Sequence, residues 1–287
     1  MNHPQRFQIL LALIACLSVG EPGIAEDKPA KESSRGSDWK WQEAPLACFD
    51  ADLDKAEILR VTNLKKDGTG SLRAALEAEV EGPRLIVFEV GGVIDLEGRG
   101  LRIQSDHTWI AGQTGPEPGI TVIRGGIREE ASHVVLQHLR VRPGDGGDLP
   151  DEGWEPDGLT TLGSVHDVLV EHCSMTWSID ENLSASSYGA PDGQGARRIT
   201  FRRNIIAEGL DEATHEKGGH SKGTLVHDAT HEVAIVGNLY AGNVERNPVF
   251  KLDTSGVVVN CVMACNGQRA IHASVPEADY PGKPARL

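Results

Sequence analysis

Aromatic residues and long hydrophobic runs are scarce in this sequence. Phe, Trp and Tyr together account for 5% of the 287 residues. An apolar run near the N-terminus, residues 9–15 (ILLALIA), is too short to span a lipid bilayer as a helix. We therefore expect no membrane span.

Cysteine pairs suited to a metal site are also missing. The sequence contains five cysteines: Cys16, Cys48, Cys173, Cys261 and Cys265. No two of them are separated by two residues, which argues against a cysteine-ligated zinc site. Cys173 lies inside a strand-like run, where we expect a small buried apolar side chain. The spacing leaves open whether Cys261 and Cys265 form a disulfide.

Positive charge is outnumbered, because 28 Lys and Arg face 42 Asp and Glu, for a net charge of -14. A chain with this balance repels nucleic acid and anionic membranes, so we expect neither as a partner. If the substrate is itself an anion, a local basic patch or a bound cation must overcome the overall field.

The N-terminus has the pattern of an export signal over residues 1–25, with Arg6 before the apolar run. Two cleavage sites compete. Residues 13–16 (LIAC) resemble a lipobox and would place a lipid anchor on Cys16, whereas residues 23–25 (GIA) resemble an ordinary cleavage site. We expect a secreted, periplasmic or outer-membrane protein, not a cytoplasmic one. Residues 26–44 are polar and are interpreted as a linker before a domain at 45–287.

Glycine is abundant, at 33 residues, and short β-branched runs recur along the chain. A turn, a short apolar run, a polar residue and a second short run repeat at intervals of roughly 24 to 34 residues. This pattern predicts an all-β solenoid, a parallel β-helix, because the four-stranded blades of a propeller have no counterpart here. We also expect the chain to be a monomer.

Asparagines support the solenoid. Asn204, Asn238 and Asn260 each lie between two apolar runs. On coils stacked about 4.8 Å apart, inward asparagines can hydrogen-bond along the stack; the alternative is that they are turn residues. A helix at residues 71–80, capped by Ser71, would cover the open first coil.

Two short patterns typical of hydrolases lack the surrounding secondary structure that they require. Residues 219–223 (GHSKG) match a nucleophile-elbow pattern but lack the strand before and the helix after that such an elbow requires. His215 and His220 are five residues apart, which does not align two imidazoles on one helical face, and two glycines lie between them. For His172, His215 and His220 two interpretations stay open, a place in a cleft or a core or surface role, and we expect the second.

Acidic and basic residues cluster at junctions between loops and strand-like runs. Asp157, Asp180 and Glu181 lie on earlier coils, and Lys222, Arg246 and Lys251 on later ones. Stacking of coils can bring such positions together, and carboxylates are the ligands that Ca²⁺ prefers. The acids at residues 145–152 are interpreted as a solvated surface.

The sequence around these charged residues resembles the pectate lyases of polysaccharide lyase family one, and the resemblance extends over residues 57–275. The most specific match is residues 238–251 (NLYAGNVERNPVFK), in which Asn238, Arg246, Pro248 and Lys251 have the family's spacing. Residues 169–178 (LVEHCSMTWS) resemble the family's strand ending in Asp-His, with Glu171 in place of the aspartate. Residues 220–226 (HSKGTLV) resemble the segment that carries a substrate-binding lysine.

The resemblance implies a right-handed parallel β-helix and a role for each matched residue. Arg246 matches the catalytic base, and Lys222 and Lys251 match substrate-binding positions. Asp157 and Asp180 match calcium ligands. Ser184 stands where the family has a third ligand. Either Glu181 compensates for it, or the carboxylate of the substrate completes the calcium site.

The implied function is calcium-assisted β-elimination of pectate or a related polyuronate by an exported lyase. Arg246 is either the base itself or a stabilising cation while water or hydroxide removes the proton. Two other classes stay open: a non-catalytic polysaccharide-binding β-helix, and an inverting glycoside hydrolase that uses Asp157 and Asp180. Family members usually continue beyond the equivalent of residues 267–272, so a C-terminal truncation is also expected.

Overall fold

The computed structural model describes residues 45–148, 153–191, 194–274 and 285–287. The predicted signal segment 1–25, the linker 26–44 and Cys16 lie outside these ranges. Among the described residues, no helix has the length and apolarity needed to cross a membrane.

Three parallel sheets contain the 22 strands of the described chain, numbered β1 to β22 in chain order. Sheet A consists, in spatial order, of β1 (Glu57–Val61), β2 (Arg84–Phe88), β5 (Thr108–Ala111), β8 (Val134–Gln137), β11 (His166–Glu171), β14 (Arg197–Arg202), β17 (His231–Val236) and β20 (Gly256–Val259). Sheet B consists of β3 (Gly92–Asp95), β6 (Ile120–Ile123), β9 (Leu139–Arg142), β12 (Ser174–Thr176), β15 (Ile205–Ala207), β18 (Leu239–Ala241) and β21 (Val262–Ala264). Sheet C consists of β4 (Leu101–Ile103), β7 (Ile127–Glu129), β10 (Leu159–Thr161), β13 (Leu183–Ser186), β16 (Leu225–His227), β19 (Val249–Phe250) and β22 (His272–Ala273).

The strand order is that of a solenoid. From β2 onward, each coil takes one strand from each sheet in turn, and each strand pairs in parallel with its equivalents on the coils before and after. Crossovers between parallel strands of one sheet are right-handed almost without exception. The predicted right-handed parallel β-helix is confirmed.

Aliphatic ladders fill the interior. On sheet A one inward position is paired from coil to coil and carries an apolar side chain throughout: Leu59, Ile86, Ile110, Leu136, Val170, Phe201, Ile235 and Val258. The outer face of sheet A is covered as well, by helix α1 (Pro45–Phe49). Phe49 of this helix meets Trp109 edge-on at 5.6 Å between ring centroids.

The predicted helix near the start covers the first coil. Helix α2 (Leu72–Leu76) is shorter than the predicted 71–80, and the Ser71 hydroxyl caps it by accepting the Ala74 N–H at 3.1 Å. Leu72 and Leu76 join the main core. The helix contacts β1 and β4, so it shields the end of the core that no further coil would cover.

An internal ladder of asparagines exists in part as expected. The Asn204 side chain accepts the Cys173 N–H at 2.9 Å and donates to the Val170 carbonyl at 2.9 Å. Asn238 repeats the pattern one coil later, accepting the Asn204 N–H at 2.7 Å and donating to Phe201. Both residues are 1% exposed, so these bonds satisfy backbone groups that water cannot reach.

The prediction that Asn260 continues the ladder is wrong. Asn260 is exposed and has φ of 57°, the left-handed conformation that Asn tolerates better than most residues. Its neighbour Cys261 takes the inward position, and the Cys261 sulfur accepts the Asn238 N–H at 3.4 Å. The prediction chose the correct coil but was displaced by one residue, because the turn residue and the inward residue are adjacent.

The four cysteines within the described chain are free thiols. Cys261 and Cys265 therefore form no disulfide with each other. Cys173 is 4% exposed and lies in the core, as predicted.

We predict that Asn238→Ala lowers the free energy of unfolding by about 2–4 kcal/mol, because it leaves the Asn204 N–H and the Phe201 carbonyl buried without partners. Urea denaturation followed by circular dichroism measures the loss. Asn260→Gly is the matched control: it keeps the left-handed turn and should change the stability by less than about 1 kcal/mol. Equal losses in the two variants would contradict the ladder.

Candidate active site

One row of charged residues runs along the turns that lead into sheet C. Asp157, Glu181, Lys222 and Glu245 precede β10, β13, β16 and β19 on four successive coils. Lys222 pairs with Glu181 on one side and with Glu245 on the other through isolated parallel bridges. Asp157 joins the row by accepting the Glu181 N–H at 3.0 Å. The stacking of coils thus brings together residues more than twenty positions apart.

Arg246 reaches back from a later coil to the acids of an earlier one. Its guanidinium forms an ion pair with Glu181 and lies 3.9 Å from Asp180 Oδ1. Arg246 has φ of 58°, so the backbone turns sharply at this residue. Arg246 and both carboxylates lie on one side of the solenoid, as the expected site requires.

A second ladder of buried asparagines holds the two segments in place. The Asn182 side chain donates to Asn243 Oδ1 at 3.0 Å, and the Asn243 side chain donates to Asn247 Oδ1 at 3.0 Å. Asn182 adjoins Glu181 and Asn247 adjoins Arg246. The amide chain therefore fixes the acidic turn relative to the arginine turn. Sequence analysis missed this ladder, although the crowding of Asn243 and Asn247 around Arg246 was a signal for it.

Burial changes the chemistry of Arg246. It lowers the pKa of the guanidinium, while the negative charges of Asp180 and Asp157 act in the opposite direction and do not fully offset it. The direction of this shift favours loss of the proton, although arginine normally stays charged.

The two lysines predicted to bind substrate are placed differently. Lys222 is 7% exposed, and its Nζ lies 2.9 Å from Glu245 Oε2. Lys251 is partly exposed just after β19. Its charge helps to lower the pKa of Asp228, to which the hydrogen bond with His227 contributes more.

Three carboxylates form an oxygen-rich set that fits a hard cation. Asp157, Asp180 and Glu181 each offer an oxygen within 4.8 Å of the others. Asp180 Oδ1 and Glu181 Oε1 are buried, and they lie against His220 Nε2 and the Arg246 guanidinium, respectively. Burial and the nearby charge of Asp180 raise the pKa of Asp157 to about 8. Ca²⁺ prefers carboxylate oxygens, and an ion here would take up these oxygens in competition with Arg246 and His220. The Ser184 hydroxyl, on β13 three residues beyond Glu181, is also buried without a partner.

Two histidines complete the surroundings of Asp180, which sequence analysis did not foresee. His220 Nε2 lies 2.9 Å from Asp180 Oδ1, and His215 Nε2 lies 3.8 Å from Asp180 Oδ2. The two rings stack at 3.7 Å between centroids. His215 to His220 is not a helix but a loop with turns, and a loop can bring side chains together at a spacing that a helix cannot. The signal in the sequence was the two glycines between them.

The pKa of Asp180 is held below its usual value despite burial. Burial alone would raise it, but the adjacent His220 imidazole and the charges of Arg246 and His215 outweigh that effect. Asp157 and Asp180 therefore differ in protonation at neutral pH, with the proton held on Asp157.

The nucleophile-elbow pattern at 219–223 has a structural role instead. Ser221 is 1% exposed, and its hydroxyl accepts the Val244 N–H at 3.1 Å. No helix follows it in the described chain up to residue 274. The exclusion of an elbow-type serine hydrolase is consistent with this geometry.

A cleft of about 550 Å³ runs along the outer face of sheet C and ends at the acids. Asp157 and Asp180 line one end of the cleft, and Arg102, Arg128 and Trp154 line the rest with neighbouring backbone. Arg102 and Arg128 are direct neighbours across β4 and β7. The cleft thus joins the acidic end to a stretch with arginines and an aromatic ring, although Arg102 is already paired with Glu130.

These features define a parallel β-helix protein with a charged cleft on its outer face. The particular proteins to which it is similar are named probable pectate lyase C. The chain is 36% identical over 196 residues to the one from Emericella nidulans, covering 68% of this chain and 40% of that protein. It is 35% identical over 198 residues to the one from Aspergillus terreus, covering 69% and 41%. The resemblance to pectate lyases predicted from the sequence is confirmed.

The chain spans about 40% of the length of these curated relatives. No protein-family model matches it. Among solved structures, an alginate lyase from Paenibacillus sp. strain FPU-7 aligns with a TM-score of 0.48 and 14% identity over 77% of this chain and 69% of that one. Jun a 1, the major cedar pollen allergen, aligns with a TM-score of 0.42 and 16% identity over 72% and 64%.

We predict that the metal-free protein loses stability through Asp157 as the pH rises from about 4 to about 8. The folded protein keeps this proton up to about pH 8, whereas the unfolded chain releases it near 3.8, so folding binds a proton in that window. Asp157→Asn removes the effect. Melting temperatures of both proteins in chelator, measured across this range, should show the variant gaining on the wild type as pH rises. A constant difference would contradict the assignment.

Proposed function

We propose that this chain is an exported lyase that cleaves pectate, or a related polyuronate, by calcium-assisted β-elimination. The observation that carries the proposal is the meeting of Arg246 with Asp180 and Glu181 at the end of the sheet C cleft. The names of the related proteins support the same class of reaction.

The reaction explains why such a site needs concentrated charge. In β-elimination a base removes the C5 proton of a galacturonate, the electron pair forms a C4–C5 double bond, and the C4–O4 bond breaks. The C5 proton is weakly acidic because its removal adds charge next to a carboxylate. Cations held against that carboxylate stabilise the enolate-like transition state. They also reconcile an anionic substrate with a protein of net charge -14.

Asp157, Asp180 and Glu181 are the residues proposed to hold calcium, and the buried Ser184 hydroxyl lies on the strand that follows. When bound, calcium would supply positive charge to the substrate carboxylate. Glu181 is also the ion-pair partner of Arg246, so the same carboxylate balances the arginine and serves the cation set.

Arg246 is the proposed base or, if hydroxide removes the proton, the cation that stabilises the developing charge. Its partial burial lowers its pKa, which increases the fraction of free base at alkaline pH. Both roles require the fork of the guanidinium close to C5, which the amide ladder beneath Asn247 supports.

Lys222 and Lys251 are proposed to bind substrate carboxylates. Lys222 lies in the same row as Glu181, and its Nζ pairs with Glu245 in a buried position. Arg128, in the cleft beside Asp157, offers a further cation along the path of the polymer.

The hydrolase alternative fits the geometry poorly. Inverting glycosidases place their two carboxyl groups about 6.5–9.5 Å apart to admit a water molecule. Asp157 and Asp180 instead offer oxygens within 4.8 Å of each other. A non-catalytic binding role is the remaining alternative, and it is separated from the lyase by product formation alone.

The proposal includes the cellular setting. The apolar run at residues 9–15 after Arg6 supports export, with Cys16 as the site of a lipid anchor if the lipobox is used. The partner is the polyuronate itself, and neither nucleic acid nor a second subunit is invoked.

We predict that Arg246→Lys lowers kcat on polygalacturonate by at least about 100-fold, because lysine keeps the charge but loses the fork geometry. Ultraviolet absorbance of the conjugated double bond in the product measures the rate. Arg124→Lys is the matched control, since Arg124 also has positive φ (50°) and pairs with a carboxylate, Asp95, outside the cleft. Full activity of Arg246→Lys would discredit a direct role.

The same assay separates the functional classes. Elimination produces absorbance, hydrolysis produces new reducing ends without it, and a binding module releases nothing. Chelator should abolish the absorbance and added Ca²⁺ should restore it. Activity that survives exhaustive chelation would overturn the calcium-assisted mechanism while leaving elimination itself intact.

A further inference from the structure

We propose that Asp180, His215 and His220 form a second cation site, one that binds a transition-metal ion of the Zn²⁺ or Co²⁺ type. This site is distinct in its donors from the all-oxygen set of Asp157, Asp180 and Glu181, and it shares only Asp180 with that set. The inference concerns metal binding and does not depend on the proposed lyase activity.

The ligand atoms have the separations that a small metal ion needs. Bonds of about 2.0–2.2 Å to nitrogen and oxygen in a tetrahedral site place neighbouring ligand atoms roughly 3.4 Å apart. The Asp180 oxygens lie 2.9 Å from His220 Nε2 and 3.8 Å from His215 Nε2, on either side of that value. All three residues offer atoms within 4.8 Å of one another. The two rings stack at an interplanar angle of 28°, so a bound ion would tilt them apart to bring both nitrogens onto itself.

Both histidines are buried, and the fold leaves one ring nitrogen of His215 without a hydrogen-bond partner. His215 is 1% exposed and His220 is 7% exposed. His215 Nε2 is buried, faces Asp180 and has no hydrogen-bond partner. A buried, unpartnered ring nitrogen costs free energy unless something bonds to it. A metal ion between His215 and Asp180 would supply that bond.

An outer carboxylate orients His215 as in known metal sites. Glu155 Oε1 lies 3.0 Å from His215 Nδ1. Nδ1 also accepts the Lys217 N–H at 3.1 Å, so in the metal-free protein the ring proton lies on Nε2. Metal binding at Nε2 would require the other tautomer, with the proton on Nδ1 facing Glu155 in place of the Lys217 contact. A ligating histidine typically has such a carboxylate on its other nitrogen, which fixes the tautomer and strengthens the ligand. Glu155 is itself positioned by the Glu216 N–H at 2.8 Å.

The loop that carries His215 and His220 is anchored at one end and turns tightly at two glycines. Thr214 is anchored to Trp154, whose carbonyl accepts the Thr214 hydroxyl at 2.5 Å. Gly218 has φ of 75°, and a side chain at Gly219 would meet Asp211 at 2.8 Å. The two glycines allow the tight return that stacks His220 on His215.

The donor set selects the class of ion. Ca²⁺ favours oxygen ligands in numbers, whereas imidazole nitrogen suits Zn²⁺ and Co²⁺. Two histidines and one aspartate leave at least one coordination position for water or a ligand in the cleft, which Asp180 lines. Because Asp180 belongs to both sets, a metal on the histidines would draw this carboxylate from the calcium set and from Arg246.

Co²⁺ titration of the metal-free full chain, followed by visible ligand-field absorption, tests the site without substrate. We expect one equivalent to bind, with band intensities typical of four or five ligands. His215→Gln and His220→Gln should each weaken Co²⁺ binding by at least about tenfold. Asp157→Asn should leave Co²⁺ binding unchanged while weakening Ca²⁺ binding measured by calorimetry.

His172→Gln is the matched control, because His172 also stacks on another histidine, His138, at 5.0 Å between centroids, outside the cluster. It should bind Co²⁺ like the wild type. Equal weakening in His172→Gln, or no stoichiometric Co²⁺ binding by the wild type, would overturn the proposal. If the histidine variants do not fold, crystals of the wild type soaked in Zn²⁺ decide: an anomalous peak bonded to His215, His220 and Asp180 supports the site, and its absence refutes it.

Because metal binding is measured directly, the two proposals can fail separately. If the wild type binds no Co²⁺, the metal site is refuted while the result of the elimination assay still stands by itself. Conversely, a chain that binds Co²⁺ as expected but releases no unsaturated product would refute the lyase and keep the metal site.

Discussion

Parallel pairing between successive coils is the constraint on which the other features depend. It repeats at about 4.8 Å and places equivalent positions directly beside one another. The same repeat that aligns the aliphatic ladder of sheet A aligns Asp157, Glu181, Lys222 and Glu245 at the entrance to sheet C. Like charges this close would repel, so acids and bases alternate in the second half of the row and Arg246 neutralises the first half.

Buried polar groups connect the scaffold to the site. The ladder through Asn204 and Asn238 satisfies backbone groups in the interior. The ladder through Asn182, Asn243 and Asn247 uses the same chemistry but ends beside Glu181 and Arg246. The same kind of asparagine ladder therefore stabilises the core and holds the charged residues of the site in place.

Several charged or polar groups surround the Asp180 carboxylate at once. It faces Arg246, both histidines and the carboxyl group of Asp157, all within a few ångströms. Its charge is what raises the pKa of Asp157, after burial, and what draws the cationic groups together. Any ion that enters this end of the cleft must compete for the same two oxygens, which makes Asp180 the point where the two proposed cation sites are coupled.

The fold class and the capping helix at Ser71 were predictable from the sequence, because each depends on local periodicity. The placement of Arg246 near Asp180 and Glu181 was expected only through the resemblance to pectate lyases. The register of Asn260 was not predictable, since a turn residue and an inward residue look alike when adjacent. His215 and His220 were missed because only the loop path through Gly218 and Gly219 stacks their rings. Composition and repeats determined the solenoid, whereas contacts between coils, which no single stretch of sequence contains, decided which charges meet.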